Sequence, residues 1–547
     1  MTNLTRNPQS CTKKAQEKST NFTLSLQKCN KDENGKAILP AERTPVEIIK
    51  WGMSLGKTHQ QQVFIKQNPN LRHVYIVPTQ ALAREASERL GLPCYLDFDQ
   101  TDPQWFGSMV VCIASFRKVL GDIDCLYIDE SESCLEQLNS KTIFSSGEAQ
   151  QTYFSLIRDI QLSTKVTLMD AHAGKATQKL VLHANRKNEA QVLLCDAEPI
   201  SWVDMGSKNK HQTLIHQRIR KGKKLAIACS SKNEAKTLTK SLQKSFPKLN
   251  IRCYHSDNHQ IERTKYKDPF VCDVLIYTNV IGSGISIDIQ DHYDERHIVI
   301  CENTGNARNI QQMSQRVRNP KDPSVYFSGD KRQPKEIWKT TPEKLLHNWA
   351  LAKEDSIRLL ETLNITICRH FVHSEERKNL LKLLATIESS SIENGKEWAA
   401  TWIRQNLKTS DNDEKIENET EIKAQLKAIS QQAKEERALN ILASPTLEPK
   451  RLADIENKFS KTEEEINILE KARLQKTFGE GFTDATEDEQ LKIIKEDEHG
   501  KLTSRVKSFA AFELAQTKKG RHILAKKEAS EITFGLENQL RHNLQRC

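Results

Sequence analysis

Val46-Glu47-Ile48-Ile49-Lys50-Trp51-Gly52-Met53-Ser54-Leu55-Gly56-Lys57-Thr58 is the stretch whose reading decides the fold. A short run rich in β-branched residues ends in a glycine-bearing turn, and Gly-Lys-Thr then opens a helix. The order predicted is strand, phosphate-binding loop, helix. Such a turn points backbone N–H groups at an anion, and the helix N-terminus adds partial positive charge. Gly52, Ser54 and Gly56 are the candidate loop residues. Lys57 can reach the β- and γ-phosphates of a nucleotide, and the Thr58 hydroxyl can ligate Mg²⁺. The usual spacing wants glycine at position 51, where Trp51 stands, and Gly52 comes one residue late. A Gly-Lys-Thr triplet alone also marks an ordinary helix start, so the flanking chain has to decide.

Working outward, strand-like runs alternate with helical patterns up to about residue 330. The strand-like runs are Val46–Trp51, His73–Val77, Met109–Ile113, Cys125–Asp129, Val166–Met169, Leu225–Cys229, Ile251–Tyr254, Val274–Tyr277, His297–Cys301 and Val325–Phe327. Helical spacing lies between many of them, as in Gln80–Leu90, Lys232–Ser245 and Arg308–Val317. Short, apolar strands alternating with amphipathic helices predict parallel sheets of the α/β class. A break near Cys195–Lys210, with Pro199 and a polar run, divides them into two halves. Beyond about 335 the patterns are helical, including Pro342–Leu363, His373–Ser389 and Thr462–Thr477, with breaks at Lys408–Glu421 and Ser444–Pro449. The expected organisation is a polar basic tail over 1–43, a first α/β domain over 44–196, a second over 210–335, and a mainly helical region with a basic end over 336–547.

Composition narrows the function classes. At 547 residues, 37% hydrophobic and 28% charged, the chain can bury large cores yet stays polar. No run of about 18 apolar residues predicts a membrane span, and Met1–Lys14 lacks the apolar core of a secretory signal. The thirteen cysteines are scattered, without zinc-ligand spacing, and fit reduced thiols in a cytoplasmic protein. Net charge is +10, and it sits at the ends: +4 over residues 1–40 and +6 over 501–547. Basic ends on a neutral body suit nucleic-acid contact, or solvated tails. Leu502–Gln516 and Ile523–Leu540 have helical apolar spacing, so the basic end reads equally as a DNA-holding arm or as a docked structural helix.

Three further constellations carry chemistry. In Leu126-Tyr127-Ile128-Asp129-Glu130-Ser131-Glu132 an apolar strand ends in two carboxylates, at the sheet edge where α/β ligands bind. Asp129 is placed to hold Mg²⁺ and Glu130 to deprotonate an attacking water. The same residues also fit a solvated strand end. Tyr277–Asp288 is a glycine- and serine-rich turn after an apolar strand. Gln312-Met313-Ser314-Gln315-Arg316-Val317-Arg318 reads either as a surface basic helix or as arginines aimed from a second domain at phosphates bound by the first.

In order and spacing, these residues resemble superfamily 2 helicases, and most of all the herpesvirus origin-binding protein group with related plasmid and phage replication helicases. The first motif is Trp51–Thr58. Val77-Pro78-Thr79-Gln80-Ala81-Leu82 resembles motif Ia, and Ala114-Ser115-Phe116-Arg117 resembles motif Ib. Asp129–Glu132 corresponds to motif II, Leu168-Met169-Asp170-Ala171 to motif III, and Ile227-Ala228-Cys229-Ser230-Ser231-Lys232 to motif IV. Thr278, Gly284 and Ser286 fall at motif V offsets, and Gln312–Arg318 matches the Gln-x-x-x-Arg-Val-Arg form of motif VI. The resemblance covers about residues 44–330. Two departures stand out: Ser54 and Leu55 replace the usual Gly-Ser of the phosphate loop, and Gln315 replaces the glycine before Arg316.

The resemblance implies two tandem RecA-like parallel-sheet domains that clamp ATP and Mg²⁺ between them, followed by the helical region. It implies a nucleic-acid-stimulated ATPase and DNA helicase in replication of a plasmid, phage or similar element. Lys57, Glu130, Arg316 and Arg318 would be catalytic. Gln312, Gly284 and Asp288 would join the loop in holding nucleotide, with Thr58 and Asp129 on the metal. Pro78, Thr79, Ser115, Arg117, Ser230 and Thr278 would contact the backbone of single-stranded or forked DNA. No primase-like domain fits ahead of Val46, so primase is expected in trans. A decayed, non-catalytic DNA-binding scaffold and an RNA helicase are the competing expectations.

Overall fold

His73–Val77 and Cys125–Asp129 are buried at every position. Strands of that kind are stable only in a sheet covered on both faces. A computed structural model of the chain shows this arrangement twice. It describes residues 24–53, 55–98, 105–139, 148–256, 258, 265–281, 286–301, 304–329, 342, 375–396, 398–412, 414, 417–458, 461–497 and 502–503.

The first sheet contains β1 (Ser25–Lys28), β2 (Val46–Trp51), β3 (His73–Val77), β4 (Met109–Cys112), β5 (Cys125–Asp129), β6 (Lys165–Met169) and β7 (Ala190–Cys195). Their order is β1-β7-β2-β6-β5-β3-β4, and every pair is parallel. Parallel pairs need crossover connections, and helices α1 (Lys57–Gln67), α2 (Gln80–Leu90), α3 (Ser131–Leu138), α4 (Glu148–Leu162) and α5 (Lys175–His183) supply them. The strand that feeds the phosphate loop, β2, is central, flanked by β6 and β7.

The second sheet contains β8 (Trp202–Asp204), β9 (Leu225–Cys229), β10 (Ile251–Tyr254), β11 (Val274–Tyr277), β12 (Glu295–Val299), β13 (Val325–Ser328) and β14 (Thr409–Asp411). Its order is β10-β11-β9-β12-β13-β8-β14, again parallel throughout. Helices α6 (Lys208–Arg220), α7 (Lys232–Ser245) and α8 (Ala307–Ser314) belong to this domain. Alternate residues of β9 enter different apolar clusters: Leu225, Ile227 and Cys229 on one side, Ala226 and Ala228 on the other. That is the period-two signature of a sheet covered on both faces.

The C-terminal region is helical: α9 (Glu375–Glu393), α10 (Ala399–Asn406), α11 (Glu419–Ala443), α12 (Pro449–Asn457), α13 (Glu463–Phe478), α14 (Glu480–Thr483) and α15 (Glu487–Glu496). Sequence capping sets several of these ends. Pro449 opens α12, and Thr462 with Glu465 and Thr486 with Glu489 form capping boxes. This region is not independent of the two sheets. Helix α9 buries Leu380, Leu383, Leu384 and Ile387 in the first-domain core, whereas α10 buries Ala399, Ala400 and Ile403 in the second. Residues 375–411 therefore strap the domains together, and β14 extends the second sheet beside β8.

Five expectations change. Ala190–Cys195, where no strand was expected, forms β7 between β1 and β2. The stretch 1–43 contains a strand: Ser25–Lys28 pairs with Gln191–Leu194. An edge strand is held by its ladder of backbone bonds, so it needs no apolar face, and Leu26 is 62% exposed. The expected break at Cys195–Lys210 contains β8, which is only three residues long. The helical region contributes β14. Finally, the strand expected at His297–Cys301 is Glu295–Val299. Glu295 and Arg296 are charged yet buried, because Glu295 faces Arg218 and His297 while Arg296 donates to Pro323 O. Hydropathy does not register paired charges. The helix expected at Pro342–Leu363 and almost all of the basic end over 501–547 lie outside the described residues. Among the described residues no helix is long and apolar enough to cross a membrane.

The strap is anchored by Arg404 of α10. Its Nε and Nη2 donate to Asp204 at 2.5 and 3.0 Å, and Nη2 also donates to Gly329 O at 3.0 Å. Arg404→Ala removes the guanidinium from the buried Asp204 carboxylate. Loss of a partner from a buried ion pair costs about 3–5 kcal/mol, so thermal unfolding should shift down by several degrees. An unchanged melting curve would show that the strap carries no stability.

Candidate nucleotide site between the two sheets

In a parallel sheet the strand ends that carry the loops lie on one edge. The site is built there, from β2, β3, β5 and β6 of the first sheet and α8 of the second domain. Gly56 ends the loop after β2 as the N-cap of α1 with φ 92°, a left-handed conformation that favours glycine. Lys57 opens the helix, and its Nζ donates to Trp51 O at 2.9 Å and to Gly52 O at 3.4 Å. The ammonium is thus tucked under the loop, where it can exchange carbonyl partners for phosphate oxygens.

Gly52 has a different place from the one expected. Its amide donates to Cys195 O at 2.9 Å, so that N–H is not free for an anion. A Cβ there would stand 2.6 Å from Ala197 N. Glycine is required at 52 because the chain leaving β7 crosses in contact with the loop. Ser54 and Gly284 lie outside the described residues.

At the end of β5, Asp129 is 6% exposed. It accepts a hydrogen bond from the Tyr75 hydroxyl of β3 at 2.8 Å, and that hydroxyl also meets the Thr58 side chain. Burial pushes the Asp129 carboxyl up, against the pull of the Tyr75 bond and of Lys57. Glu130 follows in the left-handed region at φ 49°, uncommon for a residue with a side chain and a local strain at the N-cap of α3. Its carboxyl is pushed up to about 7, first by burial and then by the Asp170 charge, against Lys57. Such a group sits near the protonation midpoint that a general base at neutral pH needs.

The second domain reaches this carboxylate. Gln312 Nε2 on α8 donates to Glu130 Oε2 at 2.8 Å. Gly56, Lys57, Thr58, Asp129, Glu130, Ser286, Gln312, Gln315, Arg316 and Arg318 all line one cavity of about 400 Å³, within the range of small-ligand sites. Arg316 Nε is buried with no hydrogen-bond partner among the described residues. Asp288 stands behind the cavity and holds Arg318, with Nε 3.4 Å from Oδ1. The donor set fits a nucleotide with its cation: an ammonium, an orphaned guanidinium donor, one hydroxyl and one carboxylate beside a base. Mg²⁺ binds through few protein ligands together with phosphate oxygens and water, and Thr58 and Asp129 would hold it.

The six residues expected on nucleic acid do not line the cavity. They stand at the same carboxyl-terminal edges of the sheets. Pro78 and Thr79 follow β3, and Thr79 caps α2 by accepting from Leu82 N at 3.3 Å. Ser115 and Arg117 lie on the turn Ile113–Lys118 after β4, where Arg117 Nη1 donates to Ala114 O at 2.7 Å. Ser230 follows β9 and accepts from Cys301 N at 2.7 Å. Thr278 follows β11 and is buried.

Sequence reasoning missed three participants. Tyr75 looked like one more apolar strand residue. Glu132 accepts from Gly174 N, Thr177 N and Thr177 Oγ1 at 2.9, 3.0 and 2.7 Å, which fixes the start of α5 behind Asp170. Arg308 crosses from α8 to Glu136 and Asp170. The sequence offered it only as the residue one helical turn before Gln312, since α8 ends at Ser314, short of Arg316.

With this geometry in place, the comparisons with known proteins acquire meaning. Residues 209–320 match the model of the helicase conserved C-terminal domain. The chain is 26% identical over 263 residues to the replication origin-binding protein of human herpesvirus 6A, covering 45% of this chain and 33% of that protein. It is 22% identical over 274 residues to a putative helicase/primase complex protein of African swine fever virus, covering 45% of this chain and 25% of that protein. The matched segment thus spans a third or less of those relatives' length. Among solved structures, Saccharomyces cerevisiae Dbp5 bound to RNA and ADP BeF3 aligns at 16% identity over 54% of this chain and 80% of that chain, with a TM-score of 0.39. In these matches the chain is similar to superfamily 2 helicases. Within them it is a distant relative of the herpesvirus origin-binding proteins and the African swine fever virus helicase/primase proteins.

The perturbed Glu130 gives a prediction that needs no activity. Its folded pKa lies above the ordinary 4.5, so the folded chain holds an extra proton between about 4.5 and 7, and stability falls as pH climbs through that window. Above it, the buried carboxylate is ionised at a cost. Glu130→Gln removes the charge and still accepts from Gln312, so in chelator the variant should be more stable by about 1–3 kcal/mol at pH 8. The gain should shrink as pH falls and vanish below about 4.5. An equal effect at pH 8 and pH 4 in denaturant titrations would mean that the Glu130 charge is not what strains the site.

Proposed function

We propose that this chain is an ATP-dependent DNA helicase or translocase, a nucleic-acid-stimulated ATPase that serves replication of a plasmid, phage, virus or similar element. The observation that carries the reading is the convergence of two domains on one cavity, with Lys57 and Glu130 on one wall and Gln312 and Arg316 on the other. The printed names of the relatives, an origin-binding protein and a helicase/primase complex protein, support replication as the setting.

In this reading Lys57 neutralises the β- and γ-phosphate oxygens, and Thr58 and Asp129 hold the cation. Mg²⁺, when bound, supplies charge neutralisation to the phosphates. Glu130 accepts the proton of the attacking water. Arg316 and Arg318 stabilise charge that builds on the transferring phosphoryl group, where such arginines act. Because they belong to the second domain, hydrolysis requires the cleft to be closed. Opening after hydrolysis would change the spacing of Pro78, Thr79, Ser115 and Arg117 from Ser230 and Thr278, which is how a motor steps along a strand.

The test is ATP hydrolysis with and without single-stranded DNA or RNA, with strand displacement on substrates bearing a 3′ or a 5′ tail. DNA should stimulate more than RNA. Lys57→Ala should abolish turnover without unfolding the chain. Arg316→Ala should lower kcat by roughly 10³-fold while nucleotide affinity stays near the parent value. Parental turnover by Lys57→Ala, or no response to either nucleic acid, would sink the reading.

A further inference from the structure

Helix α8 carries one cationic residue that the chemistry above does not use. Arg308 stands one turn before Gln312 on the same face of α8, and Arg316 follows just past the end of the helix at Ser314, so a shift of α8 carries both. It is 5% exposed and points out of its own domain. Its Nη2 lies 2.5 Å from Glu136 Oε2 on α3, and its Nη1 lies 3.9 Å from Asp170 Oδ2 at the end of β6. The contact is ionic and off the N–H axis. Burial would pull the guanidinium down, and the carboxylates of Glu136, Asp170 and Glu132 more than compensate.

Both acceptors are fixed to the catalytic end of the first domain. Asp170 accepts the amides of Glu132 at 3.0 Å and His172 at 2.7 Å. Glu136 lies on α3, whose N-cap is Glu130 itself. The helix start is held as well. Asn306 caps α8 through Asn309 N at 3.0 Å, donates to Glu136 Oε1 at 3.0 Å and reaches Ser391 Oγ at 3.3 Å, while Ala307 N donates to Asn394 O at 2.8 Å. An apolar contact would join two domains at lower desolvation cost than a buried charge. What a charged contact adds is register: one translation and rotation of α8 satisfies both carboxylates.

We propose that Arg308 is a positioning residue whose ion pairs with Glu136 and Asp170 set the register of α8 against the first domain, and so deliver Gln312 to Glu130 and Arg316 to the cavity. This rests on the ATPase reading for its kinetic consequence, but not for its structural one. Arg308 touches neither nucleotide nor reacting atoms. It acts through Gln312 on the same face of α8 and through Arg316 just past the end of that helix.

The experiment compares Arg308→Met, Arg308→Lys, Glu136→Gln and the double variant Arg308→Met/Glu136→Gln in the full chain. Three readouts are kcat and KM for DNA-stimulated hydrolysis, thermal stability, and the distance between probes placed at exposed Leu162 and Val271 through non-natural amino acids. Arg308→Met should lower kcat by about tenfold to a hundredfold with KM within about threefold, the size of an interdomain coupling. It should also broaden the probe distance distribution. Lysine should restore a substantial part of both. The double variant should be no worse than Arg308→Met alone, since both mutations break one contact. Parental kcat with a parental distance distribution in Arg308→Met overturns the proposal. So does a loss of kcat that is additive with Glu136→Gln and tracks thermal stability. If the parent itself hydrolyses nothing, the ATPase reading fails separately, and the distance distribution alone decides the role of Arg308.

Discussion

Both sheets are parallel throughout, and that single constraint organises the molecule. A parallel pair cannot be closed by a tight turn, so each strand must return over a sheet face through a crossover. The crossovers cover both faces, which makes the strands apolar. They also gather every strand-to-helix loop on one edge of each sheet. Two such edges facing each other produce a cleft whose walls are loops, and those loops carry Lys57, Asp129 and Glu130 from one side and the approach to α8 from the other. The chemistry lies in the cleft because the backbone leaves few other places for irregular, polar segments.

The cleft is also where the chain tolerates charge crowding. Asp129, Glu130, Asp170 and Glu136 converge with little solvent, and burial is the first cause of the upward push on Asp129, Glu130 and Glu136. Lys57 and Arg316 offset it at the cavity, and Arg308 offsets it behind. Two of these three cations come from one chain segment, 308–316, of the second domain. The acidic wall of the first domain is therefore balanced only when that segment lies against it, which couples electrostatic satisfaction to domain closure.

Much of this could be read in the sequence, for a physical reason. Val46–Trp51, His73–Val77, Cys125–Asp129 and Leu225–Cys229 were legible to the residue because burial on both sheet faces demands short runs dominated by apolar residues. Four strands escaped: Ser25–Lys28, Trp202–Asp204 and Thr409–Asp411 are short and lie towards the sheet edges, whereas Ala190–Cys195 is longer and sits between β1 and β2; all four owe their place to backbone pairing with chain far away. Among site residues, those with a local spacing rule stood out. Tyr75, Glu132 and Arg308 did not, because each has meaning only through a partner many residues distant: Asp129, Thr177 and Glu136. Gly52 shows the converse error, since a glycine in a phosphate loop suggested an anion, and its neighbour turned out to be Ala197.

The place of β14 bears on how the chain can be made. Strand β8 leaves the ribosome early, whereas its neighbour β14 follows roughly two hundred residues later, and Arg404 emerges only shortly before it. During that interval the nascent second domain presents an unpaired strand edge, and Arg404 has yet to reach Asp204. An open parallel edge is a template for pairing with any other chain at hand. The first sheet differs: its last strand, β7, can insert between β1 and β2 as soon as it is synthesised. Vectorial synthesis therefore completes the first sheet long before the second, and the segment 375–411 that arrives later both fills the first-domain core and closes the second sheet.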